Sequence, residues 1–256
     1  MLGSMIGDIV GSVYEWHNIK TTDFILFQPD STFTDDTVLT VATARALMAE
    51  GDYTAVYQDF ARRYRGRGYG GNFSRWIYLE DPQPYNSWGN GSAMRVSPVG
   101  FALNSVDEAL AEAKRSAVVT HNHPEGIKGA QSTALAILLA RQGASRADIR
   151  KEISSRFGYD LDRTLEAIRP EYQFDVSCQG SVPEAIIAFL ESESYEDAIR
   201  KAISLGGDSD TIACITGGIA EAFYGGVPVE IAEEGRKRLP GEFLEILINF
   251  QNFIGE

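Results

Sequence analysis

Leu205-Gly206-Gly207-Asp208-Ser209-Asp210-Thr211 runs directly into an apolar segment, Ile212 to Phe223. The glycine pair lets the backbone turn sharply and approach a ligand closely, and two carboxylates and a hydroxyl then stand at a helix N-terminus. The same chemistry occurs a second time, because Phe33-Thr34-Asp35-Asp36-Thr37 precedes the apolar run Val38 to Met48. Two such helix ends facing each other would make an oxygen-lined cage for hard cations. Helices apolar on nearly every face belong inside a bundle, so both stretches point to an all-α globule with a central helix layer.

Helical periodicity extends over most of the chain, with segments roughly at 2–15, 36–50, 53–65, 107–119, 126–141, 145–156, 181–191, 195–204, 209–224 and 241–253. Those at 36–50, 181–191 and 209–224 are the ones expected inside. Ser105-Val106-Asp107-Glu108 and Ser181-Val182-Pro183-Glu184 both fit the capping box, in which a hydroxyl and an acid three positions on satisfy orphan backbone amides. Strand candidates are few: Asp23-Phe24-Ile25-Leu26-Phe27 is short and isolated, and 68–92 is Gly-, Asn- and Pro-rich and reads as loop. No repeat or linker divides the 256 residues, which are expected to form one domain, 1–256, with a sizeable core.

Hydrophobic residues make up 44% and charged residues 23%, which suits a folded rather than a disordered chain. The formal charge of −13 argues against general nucleic-acid or anionic-membrane binding, and bound divalent cations would cancel part of it. No stretch is long and apolar enough for a membrane span, and Met1-Leu2-Gly3-Ser4 lacks the basic start of a signal peptide. A cytoplasmic location is the expectation. Cys178 and Cys214 are too few for a disulfide framework, and Cys214 sits in an apolar helix where a small buried thiol is usual.

Asp35, Asp36, Asp208 and Asp210, with Glu15 at the end of the first helical segment, would repel strongly in one site unless cations were bound. Carboxylate and hydroxyl oxygens suit Mg²⁺ or Mn²⁺, whereas Zn²⁺ prefers imidazole and thiolate. A lone Asp at such a position would be explained by the helix dipole, but two clusters with flanking threonines ask for more. Tyr85-Asn86-Ser87-Trp88-Gly89-Asn90-Gly91-Ser92-Ala93-Met94-Arg95 leads into a short helix; its exposed amides suit a phosphate, and a plain surface loop accounts for the composition as well. Thr120-His121-Asn122-His123-Pro124 suits hydrogen bonding to a sugar hydroxyl or a structural role better than zinc, since no further imidazole or thiolate lies near it. Arg62-Arg63-Tyr64-Arg65-Gly66-Arg67 reads as a solvated helix end, or as a patch that guides an anionic substrate.

Taken in order, Gly7-Asp8-Ile9-Val10-Gly11 with Glu15, Phe33-Thr34-Asp35-Asp36-Thr37, Gly89-Asn90-Gly91-Ser92-Ala93-Met94-Arg95, Thr120-His121-Asn122-His123-Pro124, Ser181-Val182-Pro183 and Gly206-Gly207-Asp208-Ser209-Asp210-Thr211 resemble the ADP-ribosylglycohydrolase family. That family includes the dinitrogenase reductase-activating glycohydrolase. The resemblance implies an all-α fold with a binuclear Mg²⁺ or Mn²⁺ centre in a cleft, hydrolysing the bond between ADP-ribose and an acceptor. It implies metal ligands at Thr34, Asp35, Asp36, Asp208, Asp210 and Thr211, with Glu15 contacting one metal or the substrate. It places the diphosphate and distal ribose on Ser87, Gly89, Asn90, Gly91 and Ser92, with His121 or His123 near the substrate.

Cleaving a glycosidic bond builds oxocarbenium character that carboxylates stabilise, so the acidic residues serve the transition state as well as the metals. Asp35 or Asp36 is then the expected proton acceptor from the attacking water, with Asp210 as a further catalytic carboxylate and Glu15 positioning the water or the leaving group. Two other functions fit some of these features. One is a two-metal nucleotide phosphohydrolase, since cations about 3.5–4 Å apart also suit in-line attack at phosphorus. The other is a non-catalytic protein that binds ADP-ribose or is purely structural. The expected partners are an ADP-ribosylated substrate, most readily a protein modified on arginine by family analogy, and free ADP-ribose as product.

Overall fold

Helices with apolar faces must cover one another, and the computed structural model, which describes residues 1–255, is built almost entirely from such contacts. Among the described residues there are fifteen helices: α1 (Leu2–Gly11), α2 (Asp35–Met48), α3 (Tyr53–Arg63), α4 (Gly71–Trp76), α5 (Gly91–Met94), α6 (Ser97–Ala102), α7 (Val106–Val118), α8 (Pro124–Arg141), α9 (Arg146–Phe157), α10 (Leu165–Ile168), α11 (Cys178–Leu190), α12 (Tyr195–Ile203), α13 (Ser209–Tyr224), α14 (Val229–Arg236) and α15 (Gly241–Ile254). No strand forms among these residues; Gly89 and Ser177 make one isolated bridge. Segment 23–27 is not a strand: Phe24, Leu26 and Phe27 lie partly buried against the core, while Ile25 is exposed. Phe24 packs edge-on to Tyr14 with ring centroids 5.1 Å apart, and the Arg200 guanidinium lies 5.0 Å from its ring centroid.

The centre belongs to α13, buried from Ser209 to Ala220, with α1, α8, α11 and α12 packed around it. The helices expected inside from their composition are there. α1 is also buried along its whole length, and the reason it can be is written in its glycines. Gly3, Gly7 and Gly11 recur every four residues and so share one face. A methyl group at Gly7 would fall 2.0 Å from the Ala213 carbonyl oxygen, one at Gly3 2.5 Å from that of Gly217, and one at Gly11 2.5 Å from the Asp210 Cα. Backbone therefore meets backbone along the whole α1–α13 seam.

Several element ends differ from the periodicity. The first helix stops at Gly11, where the Ser12 hydroxyl donates to the Ile9 carbonyl, so Glu15 stands in the following turn and not on a helix. α11 starts upstream of the proposed capping box: Ser177 is the cap, accepting from the Gly180 amide at 3.0 Å, and Ser181 lies inside the helix. Pro183 is likewise interior, a position that costs the ladder one amide. The Ser105 cap is present, its hydroxyl accepting from the Glu108 amide at 3.2 Å. The stretch 68–92 is not all loop, since α4 and the start of α5 fall within it. α6, α10 and α14 are short and were hidden by Pro, Gly and charged residues that blur the period. No helix among the described residues is long and apolar enough to cross a membrane.

Candidate active site

Gly206 and Gly207 both take left-handed backbone, φ +72° and +73°, a pair of turns that side chains rarely allow. The turn delivers Asp208 and Asp210 to the start of α13. Facing them is the start of α2, where the Thr211 hydroxyl donates to Asp36 Oδ2 at 3.3 Å and the Thr34 hydroxyl lies 3.4 Å from the same oxygen. Thr34 caps α2 by accepting from the Asp36 amide, while its own proton goes to Asp8 Oδ1 at 2.7 Å. Asp8, from the middle of α1, also accepts the Thr34 and Thr37 amides, each at 3.0 Å. It thereby locks α1 to α2. The Asp35 amide donates to the Arg67 carbonyl at 2.7 Å, and its carboxyl lines the cleft beside Gly68.

Glu15 completes the group: oxygens of Glu15, Asp208 and Asp210 lie within 4.8 Å of one another. Its turn is held to the Gly207 turn by Asn18, whose Nδ2 donates to the Gly207 carbonyl at 2.9 Å and whose Oδ1 accepts the Gly207 amide at 2.7 Å. Asp208 in turn accepts from Asn90 Nδ2 at 2.7 Å. Asp36 and Asp210 are 2% and 4% exposed, and Asp36 Oδ1 is buried with no hydrogen-bond donor. Among the described residues no Lys, Arg or His ion-pairs with any of these carboxylates.

Burial without positive charge raises their proton affinity. Asp35, Asp36 and Asp210 are pushed well above the usual carboxylate range, first by loss of water; Asp210 adds to the shift of the first two, and Asp208 to that of Asp210. Glu15 is raised to about 7 by burial, then by Asp210 and Asp8. Asp208 rises to about 6 by burial, although the hydrogen bonds from Asp210 and Asn90 oppose the shift.

The cluster sits in a cleft of about 570 Å³ whose other walls are Ser87–Gly91 with His121, Gly68 with Gly70–Phe73, and the aromatic residues Trp16, Tyr85, Trp88 and Phe174. A family model for ADP-ribosylglycohydrolases matches residues 1–249. The chain belongs to the ADP-ribosylglycohydrolase family. It is similar to ADP-ribosylhydrolase ARH3 of Mus musculus, 30% identical over 88% of this chain and 82% of that protein. It is also similar to ADP-ribosylarginine hydrolase Tri1 of Pseudomonas putida (strain GB-1), 27% identical over 91% of this chain and 72% of that protein. Among solved structures, an ADP-ribosylglycohydrolase-related protein complex shares the fold, with a TM-score of 0.71 at 24% identity over 98% of this chain and 96% of that one. This ADP-ribosylglycohydrolase is thus an enzyme of a family that hydrolyses glycosidic bonds.

Not every residue singled out from the sequence of the glycohydrolase reaches its cleft. Ser87, Gly89, Asn90, Gly91 and His121 line it. Ser92 is fully buried behind the loop, its hydroxyl donating to the Gly126 carbonyl at 2.7 Å. His123 caps α8, its Nδ1 accepting the Glu125 amide, and does not line the cleft. The Thr34 hydroxyl is turned to Asp8. His121 is held neutral, well below its ordinary pKa, by burial and then by the Arg95 guanidinium. Its Nδ1 lies 2.7 Å from the Thr120 hydroxyl, while Nε2 faces the loop, 3.1 Å from where a Gly91 methyl would sit. Cys178 and Cys214 are free and buried, and the Cys178 thiol, raised to about 12 by burial, donates to the Gly89 carbonyl. Asp8 supports the site through Thr34 and Thr37 although no expectation assigns it a role; its signal in the sequence is a lone acid in an otherwise apolar helix.

Proposed function

We infer that this glycohydrolase cleaves the bond joining ADP-ribose to an acceptor, with an arginine side chain of a protein as the favoured acceptor. Two Mg²⁺ or Mn²⁺ ions would be held among Thr34, Asp35, Asp36, Asp208, Asp210, Thr211 and Glu15. The observation that carries this reading is the convergence of carboxylates from three chain segments, without a cation, in the floor of a cleft fitted on another wall with a Gly/Asn loop. The donor set fits the ions: every candidate ligand is oxygen, and the unpartnered buried Asp36 Oδ1 is an acceptor waiting for positive charge. The similarity to a protein named ADP-ribosylarginine hydrolase supports the acceptor. Bound there, the ions would polarise the oxygens of water and ribose.

The remaining work falls to the chain. Asp35, half-buried on the cleft wall, and Asp36 behind it stabilise positive charge at the anomeric carbon and take a proton from the attacking water. Glu15, titrating near neutrality, positions the water or the leaving group. In Ser87–Gly91 the amides of Ser87, Gly89 and Asn90 are taken up within the chain, so those of Trp88 and Gly91 hold phosphate oxygens, and neutral His121 holds a ribose hydroxyl. His121→Ala is expected to lower kcat/KM about tenfold, chiefly through KM, the scale of one lost buried hydrogen bond. Steady-state kinetics on an arginine-linked substrate checks this, and an unchanged KM would make the imidazole structural.

The deciding assay is ADP-ribose release from arginine-, serine- and nucleobase-linked substrates, with Mg²⁺ or Mn²⁺ and after EDTA. Release is expected to fall to background in EDTA and to return with either ion. Release of AMP would point to a phosphohydrolase, and binding without release to an ADP-ribose-binding protein. Because raised carboxylate pKa values mean retained protons that cations must displace, the ion concentration giving half-maximal rate is expected to fall as pH rises through about 6 to 7, where Asp208 and Glu15 titrate. A half-maximal concentration independent of pH across that window would remove these groups from the ion site.

A further inference from the structure

Trp16 and Phe174 stand at the mouth of the cleft, 73% and 41% exposed, with rings stacked 5.2 Å apart and inclined by 22°. Large rings left this open, stacked on each other beside an active site, are a feature that burial does not account for. Both are held there by neighbouring backbone. The Trp16 turn is anchored by Asn18, whose Nδ2 also donates to the Tyr14 and Glu15 carbonyls at 2.7 and 2.8 Å. The Phe174 loop is anchored by Lys20 Nζ on the Tyr172 carbonyl at 2.7 Å and by the Asn90 amide on the Val176 carbonyl at 2.7 Å. The platform is therefore built before any ligand arrives.

We propose that the stacked Trp16–Phe174 pair is the acceptor subsite, a platform on which the planar guanidinium of an arginine-linked substrate lies. This rests on the arginine reading above. Trp16 directly follows Glu15, whose carboxylate is grouped with Asp208 and Asp210, so the platform adjoins the atoms where the bond is broken. The ADP-ribosyl half has its own wall in Ser87–Gly91 and His121. The occupant is the cationic half of the substrate: no side chain of the protein competes for the exposed rings, because Arg95, the one Lys or Arg among the cleft residues, is fully buried and bonded to the Ser116 carbonyl and Thr120 hydroxyl. Trp gives the strongest cation–π face, and guanidinium stacks on it through a flat surface. A serine acceptor offers neither plane nor charge.

The test compares wild type, Trp16→Ala and Trp16→Phe for kcat/KM on an arginine-linked ADP-ribosyl peptide and for Kd of free ADP-ribose. Trp16→Ala is expected to lower kcat/KM about tenfold while Kd stays within about twofold, and Trp16→Phe to retain about a third of the wild-type value. Because the ring is exposed, the alanine variant keeps its fold. A Kd that weakens in step with kcat/KM would assign the pair to the ADP-ribosyl half and overturn the proposal, as would an alanine variant with wild-type kcat/KM. A wild type that releases no ADP-ribose from the arginine-linked peptide would instead overturn the acceptor reading, and that result shows without any variant.

Discussion

Asp210→Asn is expected to reduce ADP-ribose release about a thousandfold or more, the scale on which one group stabilising transition-state charge acts, and to raise the melting temperature of the metal-free protein. The two effects have one origin. Asp210 is buried at the start of α13, beside Asp208 and near Asp36 and Glu15, and burial followed by Asp208 pushes its pKa well above the usual carboxylate range. Between the ordinary value and the raised one, the unfolded chain gives up a proton that the folded chain retains. Stability therefore falls as pH rises through that window. Asparagine cannot ionise, so the variant escapes that loss, and its advantage in EDTA grows with pH from about 4 upward. The same substitution takes away an anionic oxygen ligand, so added Mn²⁺ should raise the melting temperature of wild type by more than that of the variant. Melting curves in EDTA and in Mn²⁺ at two pH values, beside turnover, check all of this. Near-native turnover at saturating metal would falsify the assigned role, and a lower melting temperature in EDTA would contradict the electrostatic account.

Gly7→Ala is expected to destabilise the protein by about 1–3 kcal/mol, even though alanine is the better helix former by about 1 kcal/mol. Its methyl would fall 2.0 Å from the Ala213 carbonyl oxygen and 2.5 Å from the carbonyl carbon, and backbone cannot swing aside as a side chain can. α1 and α13 must separate. Asp8 travels with α1 and Asp210 with α13, so separation strains the bonds from Thr34 and Thr37 to Asp8 and opens the carboxylate cluster. Activity should fall along with stability, and extra Mn²⁺ should restore only part of it. Gly51→Ala is the control: its nearest neighbours to a new methyl lie at 3.7 Å or more. Denaturant unfolding of both variants decides the matter, and a Gly7→Ala protein as stable as the control would mean the seam has slack.

Much of the fold was legible because helix formation is written locally. The apolar runs after Asp36 and Asp210 predict buried helices, and α2 and α13 are buried. The four-residue spacing of Gly3, Gly7 and Gly11 was equally visible, yet its meaning depends on Ala213 and Gly217, small residues more than two hundred positions away. Short helices such as α6 and α10 carry too few turns for a period to show. Site residues divide in the same way. A Gly-Gly turn before Asp208 has one conformational consequence wherever it sits, whereas Ser92 and His123 occupy motif positions whose direction only packing could set.

By itself, then, the sequence determined the helical class, the two carboxylate-bearing helix starts and the family, because residue chemistry, backbone propensity and motif order are properties of neighbouring positions. The tertiary structure alone decided that Thr211 meets Asp36 across 175 positions, that Asp8 locks the start of α2, that Glu15 reaches the cluster from a turn, and that Trp16 stacks on Phe174 at the cleft mouth. Contacts of that kind depend on how helices fit along their whole buried faces, and a few ångströms of separation at the α1–α13 seam would undo them.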